Sequence, residues 1–336
     1  MNTVILSASN EDIAFAASLI NKGEVVGIPT ETVYGLAADA MNEEAVKKIF
    51  KAKGRPADNP LIVHVSRFEM VYDIALEIPP LAHKLAERFW PGPLTMIMPK
   101  SDKIPDVTSG GLDTVGIRYP SHPVAQALIN ISDKPLAAPS ANLSGSPSPT
   151  NCARVYEDMR GRIPAIIDGG ECDVGVESTV ISFEDGGIRI LRPGKISVED
   201  FLTVTDKVYV DKGVLAQLDA DAVAKSPGMK YKHYSPKANI ILIDSEVDAF
   251  KNYVSQNKCE NTYCLLFDES EAVAGVGFLT YGVTSEEQAH YLFERLREFD
   301  EMGAKTVYAR CPSKDGVGLA VYNRILRSAG FNLIKL

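Results

Sequence analysis

Asn42-Glu43-Glu44-Ala45-Val46-Lys47-Lys48-Ile49-Phe50-Lys51-Ala52-Lys53-Gly54-Arg55-Pro56 reads as one capped helix with an abrupt stop. The Asn42 side chain can accept from the unpaired N–H groups of the first turn, and Glu43 and Glu44 suit the positive end of the helix dipole. Val46, Ile49 and Phe50 form an apolar stripe at 3.6-residue spacing. Lys47, Lys48 and Lys51 point elsewhere, as a solvated face does. Lys53 lies three residues after Phe50 and four after Ile49, so it prolongs the inward stripe. A lysine there needs an anion or must bend its charged tip outward. Gly54 ends the helix, and Arg55-Pro56 continues in extended form. Two inward cations at a helix end suit a bound anion. Spacing alone leaves a plain partnership with the helix dipole equally open.

The flanks of this helix set the fold class. Residues 24–28 upstream and 61–65 downstream are short apolar strand patterns, and the alternation continues in both directions. Further strands are expected at 94–98, 115–119, 136–139, 165–168, 179–183 and 188–191. Helices are expected at 10–21, with Asn10 as cap and Gly23 as stop, and at 80–89, 123–131 and 149–159. Asp185-Gly186-Gly187 between the last two strands signals a hairpin, so the sheet is mixed. From about residue 203 to 238 the pattern weakens, with turn punctuation at both ends of Ser226–Pro236. A second α/β pattern follows: strands at 240–243, 263–267 and 306–309, helices at 247–256, 286–302 and 317–329. The expected layout is a first domain over 1–203, a linker over 204–238 and a smaller, largely parallel α/β domain over 239–336.

Bulk properties agree. A chain of 336 residues is long enough for two domains, and 45% hydrophobic with 24% charged residues is ordinary for a soluble protein with a full core. The net charge of −9 argues against a general binder of nucleic acid or anionic membrane. Cys152, Cys172, Cys259, Cys264 and Cys311 form no C-x-x-C pair, and the histidines form no H-E-x-x-H. A reducing compartment and no protein-built metal site are expected. Met1–Leu6 does not read as a secretory leader, and no apolar run reaches about 18 residues, so a cytoplasmic protein without membrane contact is expected. The common nucleotide fingerprints are missing. Gly194-Lys195 precedes Ile196 rather than a hydroxyl residue, and Gly316-Val317-Gly318 and Gly275-Val276-Gly277 lack a third glycine.

Strand alternation sorts the remaining candidates. His64 shares a face with Ile62; a lone histidine there is more often a satisfied core residue than a ligand. Arg118 shares a face with Gly116, which leaves room for a carboxylate or phosphate; an internal ion pair is the other reading. Residues 137–150 are small, hydroxylated and rich in turn formers. They lead into a helix expected to begin at Pro149, a place where backbone N–H groups approach phosphates. Arg192-Pro193-Gly194-Lys195 adds cations after another strand.

Several blocks resemble the YrdC/Sua5 family. They are Pro29-Thr30-Glu31-Thr32-Val33-Tyr34-Gly35-Leu36, Lys53-Gly54-Arg55-Pro56 with Asn59-Pro60-Leu61, Trp90-Pro91-Gly92-Pro93-Leu94-Thr95, Pro139-Ser140-Ala141-Asn142 and Glu177-Ser178-Thr179-Val180. His233-Tyr234-Ser235-Pro236 and Gly316-Val317-Gly318-Leu319-Ala320 with Asn323-Arg324 are similar to the longer, two-domain Sua5 form. The resemblance implies a twisted mixed-sheet YrdC-like domain with a large concave cavity, plus a smaller Rossmann-like domain. It also implies L-threonylcarbamoyladenylate synthase activity, in which L-threonine, bicarbonate or CO2, and ATP give threonylcarbamoyl-AMP and pyrophosphate. That is the first step of the threonylcarbamoyl (t6A) modification of tRNA. Lys53, Arg55, Ser140 and Asn142 match the family's K-x-R and S-x-N signatures. The implied threonine site is Thr32, His64, Arg118, the backbone at Ala138, and Ser178. The implied ATP site is Arg55, Asn59, Thr114, Ser140, Ser148, Arg192 and Tyr234. Mg²⁺ is expected with ATP, a threonylcarbamoyl-transferase complex downstream, and the linker at 231–236 as a lid. Two competing readings are a weak RNA-binding module, resting on Lys47, Lys48, Lys51, Lys53, Arg55 and 230–234, and a carbamoyl-transfer relative acting on another acceptor.

Overall fold

The computed structural model describes residues 2–57, 59–216 and 234–336. Among them, eleven strands form one mixed sheet: β1 (Val4–Leu6), β2 (Val26–Ile28), β3 (Gly35–Asp39), β4 (Ile62–His64), β5 (Leu94–Pro99), β6 (Thr114–Arg118), β7 (Leu136–Ala137), β8 (Ala165–Ile167), β9 (Thr179–Glu184), β10 (Gly187–Arg192) and β11 (Val208–Val210). Their spatial order is β1-β8-β2-β3-β7-β4-β6-β5-β9-β10-β11. The expected hairpin is present: β9 and β10 pair antiparallel, with Asp185 at φ +50° and Gly186 at φ +74°. Two left-handed residues at the turn match the right-handed twist of the flanking strands.

The quoted helix spans Glu43–Lys53. Asn42 caps it by accepting from Glu44 and Ala45 N–H, and Gly54 ends it at φ +62°. Two expected helix starts shift. Ser9, not Asn10, caps Asn10–Asn21. The helix placed at Pro149 begins at Cys152, because the Asn151 side chain accepts from Arg154 N–H at 3.0 Å. β1, β3 and β11 were not expected from the sequence. β11 pairs with β10, so the first sheet extends to Val210, into the stretch expected to be linker.

The second sheet holds β12 (Asn239–Asp244), β13 (Thr262–Leu266), β14 (Gly277–Thr280), β15 (Thr306–Arg310) and β16 (Leu333–Lys335) in the order β14-β13-β15-β12-β16. All its pairs are parallel. Parallel neighbours need crossover helices, supplied by Val247–Asn257, Ser285–Glu301 and Gly318–Ser328.

The two domains share a core. Val33, Val174 and Val176 of the first bury with Leu292, Phe293 and Leu296 of the second. Gly175, between two of them, sits at φ +82°, and a Cβ there would lie 2.3 Å from the Ala289 carbonyl oxygen. Charge closes the rim. Arg154 bonds Glu294 and Glu301, and Arg297 bonds Asp158 at 2.8 Å. No described helix is long and apolar enough to cross a membrane, and the five cysteines are unpaired.

Candidate functional site

Register brings the first residues together. β4 runs parallel to β6 with His64 beside Arg118, and β5 runs antiparallel to β6 with Thr95 beside Arg118. Residues directly paired across strands share a face. His64, Arg118 and Thr95 therefore form one row. Ser178, just before β9, shares a 2.8 Å hydroxyl hydrogen bond with Thr95.

This row borders a cavity with about 760 Å³ of space, part of it open to solvent. Its lining includes Thr32, His64, Arg118, Ala138 and Ser178, together with Lys53, Arg55, Ser140, Asn142, Arg192 and Tyr234. Eleven of the fourteen residues expected at the site thus meet in one place. Asn59, Thr114 and Ser148 lie outside that lining. The Asn59 carbonyl accepts from Arg55 Nη2 at 3.3 Å. Thr114 stands at the opposite end of β6 from Arg118 and faces a smaller pocket with Thr95 and Gly116. Ser148 Oγ lies behind Glu177 and donates to its Oε1 at 2.5 Å.

Lys53 resolves the question posed by its stripe. Its Nζ donates to the carbonyl of Ser140, to that of Asn142 at 2.7 Å and to Asn142 Oδ1 at 3.3 Å. An ammonium has three donors, and here it meets three acceptors. Lys53 ties the helix end to the 140–146 loop. Asn142 completes the knot by donating through Nδ2 to Leu143 O at 2.7 Å and Ser146 O at 2.8 Å, while Oδ1 accepts from Ser140 Oγ at 2.5 Å. Burial first, then the neighbouring Arg55 charge, pushes the Lys53 ammonium well below the lysine range; Asp158 and Glu177 oppose this.

Arg118 is held from two sides. Its Nη1 donates to Thr32 Oγ1 at 3.0 Å, and Nη2 lies 2.8 Å from Glu31 Oε1. The second contact is a close ion pair off hydrogen-bond angle, since neither atom makes a hydrogen bond of good geometry. Burial works against the Glu31 carboxylate, but Arg118 outweighs it and holds Glu31 below its ordinary value. Both earlier readings of Arg118 thus hold at once: it carries an internal partner and lines the cavity. His64 is driven down to about 3 by burial and then by the Arg118 charge, so its ring is neutral at neutral pH.

The opposite wall joins the domains. Arg192 donates from Nε to Ser178 O and from Nη2 to Ser178 Oγ, both at 3.1 Å. Tyr234 sits at φ +63°, a backbone conformation bulky residues rarely adopt. It is fixed there by stacking on Phe293 at 5.2 Å and by the Ser328 hydroxyl, which donates to its carbonyl at 2.8 Å. The adjacent Ser235 N–H donates to Gly145 O in the first domain at 2.9 Å. Residues 231–233 of the expected lid lie outside the described residues. Glu31, Thr95, Glu177 and Arg324 complete the surroundings. The sequence held all four of them inside the quoted blocks without assigning them a role, and no periodic pattern marked their partners.

The Sua5/YciO/YrdC family model, described as telomere recombination, matches residues 18–194, and the model described as threonylcarbamoyl-AMP synthase, C-terminal domain, matches residues 196–330. The chain is 45% identical to the threonylcarbamoyl-AMP synthase of Pyrococcus abyssi over 96% of each chain. It is 43% identical to that of Bacillus subtilis, covering 98% of this chain and 96% of the relative. The structure of P. abyssi Sua5 complexed with L-threonine superposes with a TM-score of 0.92 at 42% identity, covering 99% of this chain and 100% of that one. E. coli YciO, at 22% identity and TM-score 0.54 over 60% of this chain and 100% of its own, shares the fold.

Proposed function

The chain belongs to the two-domain Sua5 threonylcarbamoyl-AMP synthase family, and we propose that its central cavity joins L-threonine, bicarbonate or CO2, and ATP into threonylcarbamoyl-AMP and pyrophosphate. The observation that carries the placement is Arg118. It is buried beside a neutral histidine and the Thr32 hydroxyl, and its Nε has no hydrogen-bond partner among the described residues. A buried guanidinium N–H without an acceptor costs roughly 1–3 kcal/mol. A threonine carboxylate would satisfy it.

In this reading Thr32 and His64 recognise the threonine hydroxyl and Arg118 its carboxylate, with Ala138 and Ser178 completing the pocket. The amine attacks CO2 to form a carbamate. A carbamate oxygen then attacks the α-phosphorus and pyrophosphate leaves. Little covalent help is needed, so orientation and charge dominate. Arg55 and Arg192 face the phosphates, and Lys53, Ser140 and Asn142 shape the loop beside them. Mg²⁺ would arrive on the ATP phosphates. Among the described residues no cluster of three metal-ligating side chains occurs, and the cavity carboxylate Glu177 is engaged by Ser148 and Arg324. These residues do not fit a protein-held ion, and no step here runs through one. The adenylate would pass to a threonylcarbamoyl-transferase complex in the cytoplasm for tRNA modification.

Three of the cations considered for RNA binding are engaged within the fold. Lys47 pairs with Glu43 and Glu44, Lys48 with Glu24, and Lys53 turns inward; 230–233 lie outside the described residues. The test is to supply ¹³C-bicarbonate, ATP and threonine and read the products by mass spectrometry. Threonylcarbamoyl-AMP carrying the label supports the reading. A labelled carbamoyl group on another acceptor would point to the transfer relative, and RNA binding without turnover to the module.

A further inference from the structure

Most of the second domain lies away from the cavity, yet one of its side chains stands directly behind the wall. Arg324, on helix Gly318–Ser328, is wholly buried. Its Nε donates to Glu177 Oε2 at 2.8 Å, its Nη1 to Asn323 Oδ1 at 2.9 Å, and its guanidinium lies over the Tyr234 ring at 5.6 Å. Asn323 in turn donates to Val214 O at 2.7 Å. Glu177 and Tyr234 both line the cavity. One guanidinium thus fixes the cavity's carboxylate and the aromatic ring beside it.

We infer that Arg324 is a positioning residue supplied by the second domain, which neutralises Glu177 so that this wall accepts the triphosphate of ATP. The argument is electrostatic. Glu177 is buried and next in sequence to Ser178, to which Arg192 is bonded. Without Arg324 that carboxylate would keep only the neutral Ser148 hydroxyl as a bonded side-chain partner, and its charge would stand uncompensated in a low-dielectric wall. It would repel the phosphates and draw Arg192 toward itself. Burial would raise the Glu177 carboxyl, but the Arg324 and Arg192 charges outweigh it and hold the group ionised. Arg324 touches no reacting atom in this account. It acts through Glu177 and Tyr234.

This inference rests on ATP binding in the cavity, so the test reads ATP and threonine binding separately, by calorimetry on the full chain. Arg324→Met should weaken ATP on the order of tenfold or more, as expected for a buried carboxylate left unpaired, and change threonine binding much less. Adding Glu177→Gln to Arg324→Met should recover most of the lost ATP affinity, because the unpaired charge is gone. If Arg324→Met binds ATP like the unmodified chain, or if Glu177→Gln brings no recovery, the inference is overturned. Should Arg324→Met lose threonine binding too, the double variant decides. Recovery of both ligands identifies the unpaired carboxylate as the fault; continued loss of both assigns Arg324 to packing and overturns the inference. Absence of ATP binding by the unmodified chain would refute the ATP reading itself.

Discussion

At the scale of single residues, the proposed site gives recognition to Arg118 and support to Lys53. Arg118→Ala should raise the KM for threonine at least tenfold and that for ATP by far less, since a charged hydrogen bond to a carboxylate contributes about 1.5–3 kcal/mol. Equal effects on the two constants in steady-state kinetics would remove Arg118 from carboxylate recognition. His64 supplies a pH signature. The free side chain titrates near 6.5, and in the fold it resists protonation down to about 3. The unfolded chain therefore binds a proton that the folded chain refuses throughout that window, and stability falls as pH drops through it, by about 1.4 kcal/mol per unit at most. Thermal melts should show the Tm of His64→Gln falling less steeply below pH 6.5 than that of the unmodified chain; an unchanged slope would contradict the assignment. Helical spacing placed Lys53 inward and strand alternation placed Arg118 on the glycine face. What neither could supply was the partner. Lys53 meets Asn142, 89 residues away, and Glu31 sits in a segment with no period to read.

At the scale of elements, the 137–150 segment is held from both domains. Lys53 fixes its carbonyls from one side, and Arg297 Nη2 donates to Pro147 O at 2.6 Å from the other. Lys53→Met keeps the volume but strands the Ser140 and Asn142 carbonyls, each costing about 1–3 kcal/mol if left buried and unpaired, while Asn142 Oδ1 keeps the Ser140 hydroxyl. It should lower the Tm by several degrees and cut kcat/KM for ATP at least a hundredfold. Retained activity together with a lowered Tm would make Lys53 structural alone. The helix Glu43–Lys53 was legible because cap, stripe and stop agree. β1, β11 and β16 were not, since they are short, partly exposed strands at sheet edges, whereas the equally short β2, β4 and β8 are fully buried, mainly apolar runs. Cys152–Met159 starts late for a local reason: the Asn151 cap outcompetes the proline signal at Pro149.

At the scale of the whole molecule, the second domain is part of the first domain's site. Val33, Val174 and Val176 are buried by it, Tyr234 completes the wall, and Arg324 holds Glu177 from behind. A chain ended at Ala216 should fold its first sheet but melt earlier and turn over poorly; full activity of that fragment in a pyrophosphate assay would show the second domain to be dispensable. The order of the domains was readable from the alternation of strands and helices. Their docking was not, because it depends on long-range pairs such as Arg324 with Glu177.

The central claim is that this cavity makes an adenylate from threonine in particular. The most direct measurement is pyrophosphate release from ATP and bicarbonate with threonine, serine, valine or alanine supplied singly. Release should depend on threonine, with valine and alanine at least a hundredfold poorer in kcat/KM, since neither offers the hydroxyl that Thr32 and His64 are proposed to recognise. Equal release with valine, or release independent of any amino acid, would contradict the account.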